Sequence, residues 1–194
     1  QIGVQLLPTL FRNFKNLYPE IELEVVEAGG IDSLRMIENE ELDLAVTNYD
    51  DSFSPNLHYR KLFKSEACFC TYPDHPLAQK KYVDTKDIAN EPLVLLNGGF
   101  FVNRLIYQNF QQALTAPKVI LHSSQLHTVK NLISSQIASS FLMRQAITAS
   151  DNIIPLSLKK PLFINSGIVT KRGRQIYGDE QKLIEFICDN QPLG

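Results

Sequence analysis

Four short stretches hold the residues best suited to chemistry: Gly29-Gly30-Ile31-Asp32, Thr47-Asn48-Tyr49, Asn97-Gly98-Gly99-Phe100 and Ser123-Ser124-Gln125. Each is rich in glycine or small polar residues, and each stands where a strand-like run gives way to a helix-like one. The chemistry they suit is hydrogen bonding to a small polar ligand, above all an anion. A helix N-terminus offers free backbone N–H groups and the positive end of its dipole. Asn97-Gly98-Gly99 also suits a small anion-cupping nest, with a plain strand–helix turn as the alternative. Arg144, closing another strand-like run, is placed either to pair with a carboxylate or to sit on the surface.

Catalysis is poorly served. The four histidines are His58, His75, His122 and His127. His75 lies inside Pro73-Asp74-His75-Pro76, a turn-forming run, and reads as structural. His122 ends a strand and His127 begins a helix, so both read as polar lining. The chain has no Gly-x-Ser-x-Gly elbow, His-Glu-x-x-His helix, Walker loop or Gly-x-Gly-x-x-Gly after a strand. The three cysteines are Cys68, Cys70 and Cys188. An odd, low count argues against a disulfide framework and fits a reducing cytoplasm. Cys68 and Cys70 share one face of a probable strand and read as small buried hydrophobes rather than a metal pair. No metal and no cofactor is expected.

The 194 residues allow one domain or two lobes of roughly a hundred residues. With 44% hydrophobic and 21% charged residues the composition is that of a soluble globular protein. No apolar run approaches the roughly 18–20 residues of a membrane span, and the N-terminus shows no signal-peptide pattern. Net charge is −2, unevenly spread: eleven acids face one base, Arg35, between Glu20 and Asp51. That surface repels phosphates, so this chain by itself is not expected to grip DNA. Lys159-Lys160 and Lys171-Arg172-Arg174 read as solvated, loop-flanking bases.

Strand–helix rhythm positions the four junctions. Leu6, Leu7, Leu10, Phe11, Phe14 and Leu17 give a helix over Leu6–Tyr18, stopped by Pro19. Ile21–Val26 and Leu42–Thr47 read as strands either side of a helix carrying Leu34 and Ile37, which implies a parallel pair. Pro92–Leu96, Lys118–His122 and Ile137–Met143 read as strands. Phe101–Leu114, Gln125–Ser135 and a short Arg144–Ala149 read as helices, the second capped by Ser123 or Ser124. Ile153–Leu158 closes this set, and a last helix spans Gln175–Asn190. Two extended runs, Glu66–Ala78 and Leu162–Thr170, enclose the middle of the chain. The expected layout is one α/β lobe inserted into another: residues 1–68 plus 168–194, and residues 69–167. A ligand would sit in the cleft between them. A doubly wound lobe starts with a strand, and none fits before Leu6. The first strand of lobe I is therefore expected to be missing and the chain to be part of something longer.

Taken in order, Leu6-Leu7-Pro8-Thr9-Leu10, Tyr18-Pro19-Glu20-Ile21-Glu22-Leu23, Leu42-Asp43-Leu44-Ala45-Val46 and Pro73-Asp74-His75-Pro76-Leu77-Ala78 resemble the effector-binding domain of LysR-type transcriptional regulators. Glu91-Pro92-Leu93-Val94 and Leu132-Ile133 continue the likeness, which covers nearly the whole chain. The resemblance implies two Rossmann-like lobes joined by two crossover strands, in the type II periplasmic-binding-protein manner. It implies an effector between the lobes and an N-terminal winged helix-turn-helix, absent from this chain, through which the full-length protein touches DNA. It also implies a cytoplasmic homodimer or tetramer, antiparallel, pairing Leu10, Phe14 and Leu17 with Thr128 and Leu132 of the second copy. The family usually carries glycine where Gln136 and Ala138 stand, so strain is expected at Gln136.

The expected function is sensing of a small, anionic effector. Gly30, Ile31, Thr47 and Asn48 would bind it from lobe I. Asn97, Gly98, Gly99, Phe100, Ser124, Gln125 and Arg144 would bind it from lobe II. The alternative on the same fold is a solute-binding protein feeding a transporter. An enzyme is a third class, and no convergent base or nucleophile supports it.

Overall fold

Apolar residues at helical spacing set the start of the chain. In the computed structural model, which describes residues 2–49 and 53–190, helix α1 (Gly3–Thr9) runs through a π-helical turn, Leu10–Phe14, into α2 (Lys15–Leu17). Pro8, inside α1, has no N–H to give to the ladder, and the widened turn follows directly behind it. Leu10 and Phe14 point inward and pack with Ile21 and Phe186. Phe14 is fully buried, with its ring 5.3 Å from that of Phe186. Burial of this kind contributes roughly 1.5–3 kcal/mol per large apolar side chain.

The Ile21–Val26 run is not a strand. Alternation alone does not make one, because backbone N–H and C=O groups need a neighbouring ladder. The residues before it form α1 and α2, and the next strand, β1 (Leu44–Tyr49), pairs antiparallel with β8 (Leu162–Lys171) instead. The expected parallel pair is therefore replaced by an antiparallel one. Val25 and Val26 are left exposed, while Ile21 is buried.

Helix α3 (Gly30–Glu38) buries Leu34 and Ile37 and packs on β1. Strand β2 (Leu57–Thr71) is 15 residues long. Its mostly solvent-facing first half and its buried second half belong to different units. The chain divides into Gln1–Lys64 with Asn165–Gly194, and Ser65–Ile164. Both β2 and β8 run unbroken across those boundaries. In the first unit, Gly167 lets the backbones close up: a Cβ there would lie 2.2 Å from the Arg60 carbonyl oxygen. Helix α6 (Gly178–Asp189) completes this unit, its start held by the Glu180 carboxylate accepting the Tyr177 N–H at 2.9 Å.

In the second unit the end of β2 pairs antiparallel with β6 (Ser140–Met143) and β7 (Ile154–Leu158), and β3 (Tyr82–Val83) adds parallel to β7. Strands β4 (Pro92–Leu96) and β5 (Lys118–Ser123) run parallel, and Leu93 bridges to Ser139 on the other side of β4. Leu93 to Leu96 are all buried, as a parallel strand covered on both faces requires. Helix α4 (Phe101–Gln112) follows β4, and α5 (Leu126–Ser134) follows β5 and lays Val129 and Ile133 against Val94 and Leu96. The Arg144–Ala149 helix is only a 3-10 turn at Arg144–Ala146. His75 is a staple: Nδ1 accepts the Leu77 N–H at 3.1 Å and Nε2 lies 3.1 Å from Glu91.

Three helices end in the same way. After α3, α4 and α5, residues Glu40, Leu114 and Gln136 take positive φ values of 60°, 55° and 60°. In each, that residue's N–H and the next one's bond back to carbonyls of the last turn, the paired closure usually served by glycine.

Candidate functional site

The strongest constellation lies in the second unit, at the carboxyl ends of β4 and β5. Their register places Leu96 opposite Ser123, and the Asn97 N–H donates to the Ser123 carbonyl at 2.9 Å. Both chains then turn into helices side by side. Asn97 to Phe100 forms the first turn, with the Phe100 N–H donating to the Asn97 carbonyl at 3.3 Å. Ser123 to Gln125 forms the second, with the Gln125 N–H donating to Ser123 Oγ at 3.1 Å. Ser123 thus closes the turn before α5 and does not cap it. The N-cap residues are Phe100 for α4 and Gln125 for α5, and neither side chain accepts a backbone N–H of its helix. Two N-termini without a side-chain N-cap therefore begin at one sheet end, each preceded by a short polar loop. Asn97, Gly98, Ser124 and Gln125 are exposed there, and Gly99 and Phe100 half-buried. Gln125 Oε1 accepts from Thr128 Oγ1 at 3.1 Å.

The first unit offers a smaller version. Gly29 is the N-cap of α3 without a side-chain bond, and Ser33 returns both its N–H and hydroxyl to the Gly29 carbonyl, at 2.9 and 3.0 Å. Gly30 is buried and Ile31 half-buried at the helix start. Thr47 is buried on β1 and donates to the Asn48 carbonyl at 3.2 Å. Asn48 Oδ1 accepts from Ser166 Oγ at 2.6 Å, so part of its amide is already engaged.

Arg144 is not free to grip a ligand. Its guanidinium donates to Glu66 at 2.9 Å and to Ser157 Oγ at 2.9 Å. It braces β2, β6 and β7 against one another. The neighbouring thiols are buried, and burial is the main cause that pushes Cys68 up to about 12 and Cys70 higher still. Neither is a nucleophile or a ready metal ligand. Among the described residues no group of three or more His, Cys, Asp or Glu is arranged to hold a metal. His122 lies 3.4 Å from the Tyr107 hydroxyl and His127 3.1 Å from the Asn131 amide, partners that carry no charge to drive proton transfer.

Leu10 and Phe14 belong to the first unit's own core and are unavailable to a partner chain. Leu17, 62% exposed, and Phe11 form the outward stripe of the same helical run. Thr128 and Leu132 are half-buried on α5. An open hollow of about 510 Å³ between α2 and α6 is lined by Asn13, Asn16, Leu17, Lys182 and Glu185 among others. None of the ligand residues expected from the sequence lines it.

Three contributors escape a reading of the sequence. Asn103, in the first turn of α4, is buried and donates its side-chain amide to the carbonyls of Leu96 and Asn97. Ser166 orients Asn48, and Gly167 sets strand approach. The last two carry a signal in hindsight: Asn165-Ser166-Gly167 is a polar interruption in an apolar strand. Asn103 carries none.

This architecture, a mixed α/β fold with one unit interposed in another and helix N-termini gathered at strand ends, is that of a ligand-binding domain. The model for the LysR substrate binding domain matches residues 1–191, and the chain belongs to that family. It is 26% identical to the transcriptional dual regulator GltC of Bacillus subtilis over 96% of its own length, and spans 63% of GltC. Its backbone superposes on the effector binding domain of QuiR in complex with shikimate with a TM-score of 0.83. That match is 20% identical and covers 97% of this chain and 91% of that one. The CcmR regulatory domain of Synechocystis PCC6803, in complex with 2-PG, gives a TM-score of 0.88 at 18% identity, covering 99% and 95%. The family is one of transcriptional regulators rather than of enzymes or transport receptors. No helix among the described residues is long and apolar enough to cross a membrane.

Proposed function

We propose that this chain is the effector-sensing domain of a LysR-type transcriptional regulator and that its effector is a small organic anion. The observation that carries the anion is the pair of uncapped helix N-termini at the ends of β4 and β5. Backbone N–H groups there, with Ser124 and Gln125, hydrogen-bond a carboxylate or phosphate, and Gly98 and Gly99 let it approach the backbone. Gly30, Ile31, Thr47 and Asn48 form a second polar junction, in the first unit, of the same ligand-binding character, and Arg144 is left as a brace. No basic side chain is required, since the dipoles and N–H groups provide the positive potential.

Two neighbours of the same fold are described with small acids bound, shikimate and 2-PG, which supports this ligand class. The reading extends to a cytoplasmic homodimer or tetramer whose DNA contact is made by a separate N-terminal domain. Exposed Phe11, Leu17, Val25 and Val26 in the first unit, and Ile120 and Leu121 in the second, are apolar surface of the kind such an assembly covers. The acidic run Glu20–Asp51 keeps DNA off this chain itself. Calorimetry with shikimate, 2-PG, citrate, succinate and inorganic phosphate is the test. Binding by at least one, weakened by added salt, supports the proposal. Saturable binding of neutral sugars with none of the acids overturns it.

A further inference from the structure

We propose that Asn103 is the positioning residue of the anion site, and that it acts by fixing the peptide whose N–H meets the ligand. The inference rests on the anion reading above and names the device inside it. Asn103 is only 4% exposed. Its Nδ2 donates to the Leu96 carbonyl and, at 3.0 Å, to the Asn97 carbonyl. Two consecutive peptide groups are thus drawn toward the first turn of α4.

A trans peptide is planar, with its C=O and N–H pointing opposite ways, and the chain has no cis peptide among the described residues. Holding a carbonyl inward therefore turns the following N–H outward. The first of the two peptides shows the rule at work. The Leu96 carbonyl faces Asn103, and the Asn97 N–H on its far side reaches the Ser123 carbonyl on β5. In the second, the Asn97 carbonyl accepts from both Asn103 and the Phe100 N–H, so the Gly98 N–H is directed away from α4. Gly98 is exposed, and nothing comes within 4 Å of where a Cβ on it would stand, so the loop is uncrowded at this residue. Gly98 is where the loop presents a donor, and Asn103 decides which way it points.

The chemistry of Asn103 fits this role better than packing. Its Oδ1 is buried without a hydrogen-bond partner. An apolar residue of equal bulk would fill the space without that cost. Only the two amide hydrogens distinguish asparagine here, and both are spent on the loop.

The experiment is a two-dimensional ¹⁵N–¹H titration of the wild-type chain, Asn103→Leu and Asn103→Gln, with the acid that binds in calorimetry. In wild type the Gly98 amide moves downfield on saturation. Asn103→Leu, which keeps bulk and removes both donors, is expected to weaken binding at least tenfold and to abolish the Gly98 shift. Asn103→Gln, which returns an amide, recovers part of both. A folded Asn103→Leu chain binding within twofold of wild type overturns the inference while leaving the anion reading intact. So does a wild-type Gly98 amide that stays put while the acid binds, a result that needs no variant to fold. If none of the acids binds, the anion reading fails. Hydrogen exchange on wild type then tests the geometry alone: Asn97 protected and Gly98 fast supports it, and a protected Gly98 overturns it.

Discussion

Replacing Leu114 and Gln136 by glycine is expected to stabilise the second unit. Each follows a helix C-terminus with φ at 55° and 60°, and each sits in the paired closure that glycine serves best. For Leu114 the back-bonds are its own N–H to Gln111 at 3.0 Å and the Thr115 N–H to Phe110 at 3.0 Å. For Gln136 they are its N–H to Ile133 at 2.9 Å and the Ile137 N–H to Leu132 at 3.0 Å. A left-handed conformation costs an L-residue about 1–2 kcal/mol. Glycine removes that cost and returns about 0.5–1 kcal/mol of it as lost backbone entropy. Leu114 is 96% exposed, so no packing is forfeited there. The net gain is about 0.5–1 kcal/mol per site. The two closures share no hydrogen-bond partner, so the double variant gains about 1–2 kcal/mol. For a chain of this length that raises Tm by roughly 3–6 °C. Thermal and urea unfolding followed by circular dichroism measure it, with the urea slope unchanged. A midpoint that stays put or falls refutes the reasoning. Glu40 is left alone, because it pairs with Lys171.

Gly167→Ala sets a Cβ 2.2 Å from the Arg60 carbonyl oxygen and 3.0 Å from Lys61 Cα, backbone atoms that cannot swing aside. Overpacking of this kind costs about 1–3 kcal/mol, and urea unfolding should register it. Native protein exposed to a thiol-reactive dye at pH 8 should leave Cys68 and Cys70 unmodified, since burial holds both thiols protonated; labelling of either before unfolding contradicts this. Burial alone would raise the Asp151 carboxyl, but Lys130 at 2.7 Å and the Thr148 N–H and hydroxyl outweigh it and hold it low. A depressed carboxyl stabilises the fold above its unfolded value, near 3.9, and the contribution disappears as pH falls through the folded value. Lys130→Met should therefore cost about 1–2 kcal/mol at pH 7, with the gap to wild type shrinking below about pH 4.

The parts of this protein that the sequence discloses are those whose side-chain pattern is also their energetics. Leu93 to Leu96 form an apolar run because β4 is covered on both faces, and Val129 and Ile133 recur at helical spacing because α5 lies on that strand. The loops at Asn97 and Ser123 stand out because glycine, serine and asparagine interrupt those runs. Gln136 stands out only through the family resemblance, which carries glycine there, the residue its positive φ favours. Elsewhere the pattern and the physics part company. Ile21–Val26 alternates like a strand, yet strands are held by ladders, and a partner segment is invisible in one-dimensional spacing. The Leu10–Phe14–Leu17 stripe is apolar, yet spacing does not say whether a stripe faces its own core or another molecule; Leu10 and Phe14 turn inward and Leu17 outward. Arg144 looks like an anion clamp until Glu66, 78 residues earlier, and Ser157, on the next strand, are seen to occupy it. Asn103 was illegible because an amide in a helix reads as surface. Only the fold shows that its hydrogens reach back across the turn to two carbonyls.

The most direct measurement is a crystal structure of this chain grown with whichever acid calorimetry selects. The account expects the carboxylate or phosphate within hydrogen-bonding distance of the Gly98 N–H and of a first-turn N–H of α5, with Asn103 still bound to the carbonyls of Leu96 and Asn97. An acid seated instead in the hollow between α2 and α6, with the ends of β4 and β5 holding only water, would contradict it.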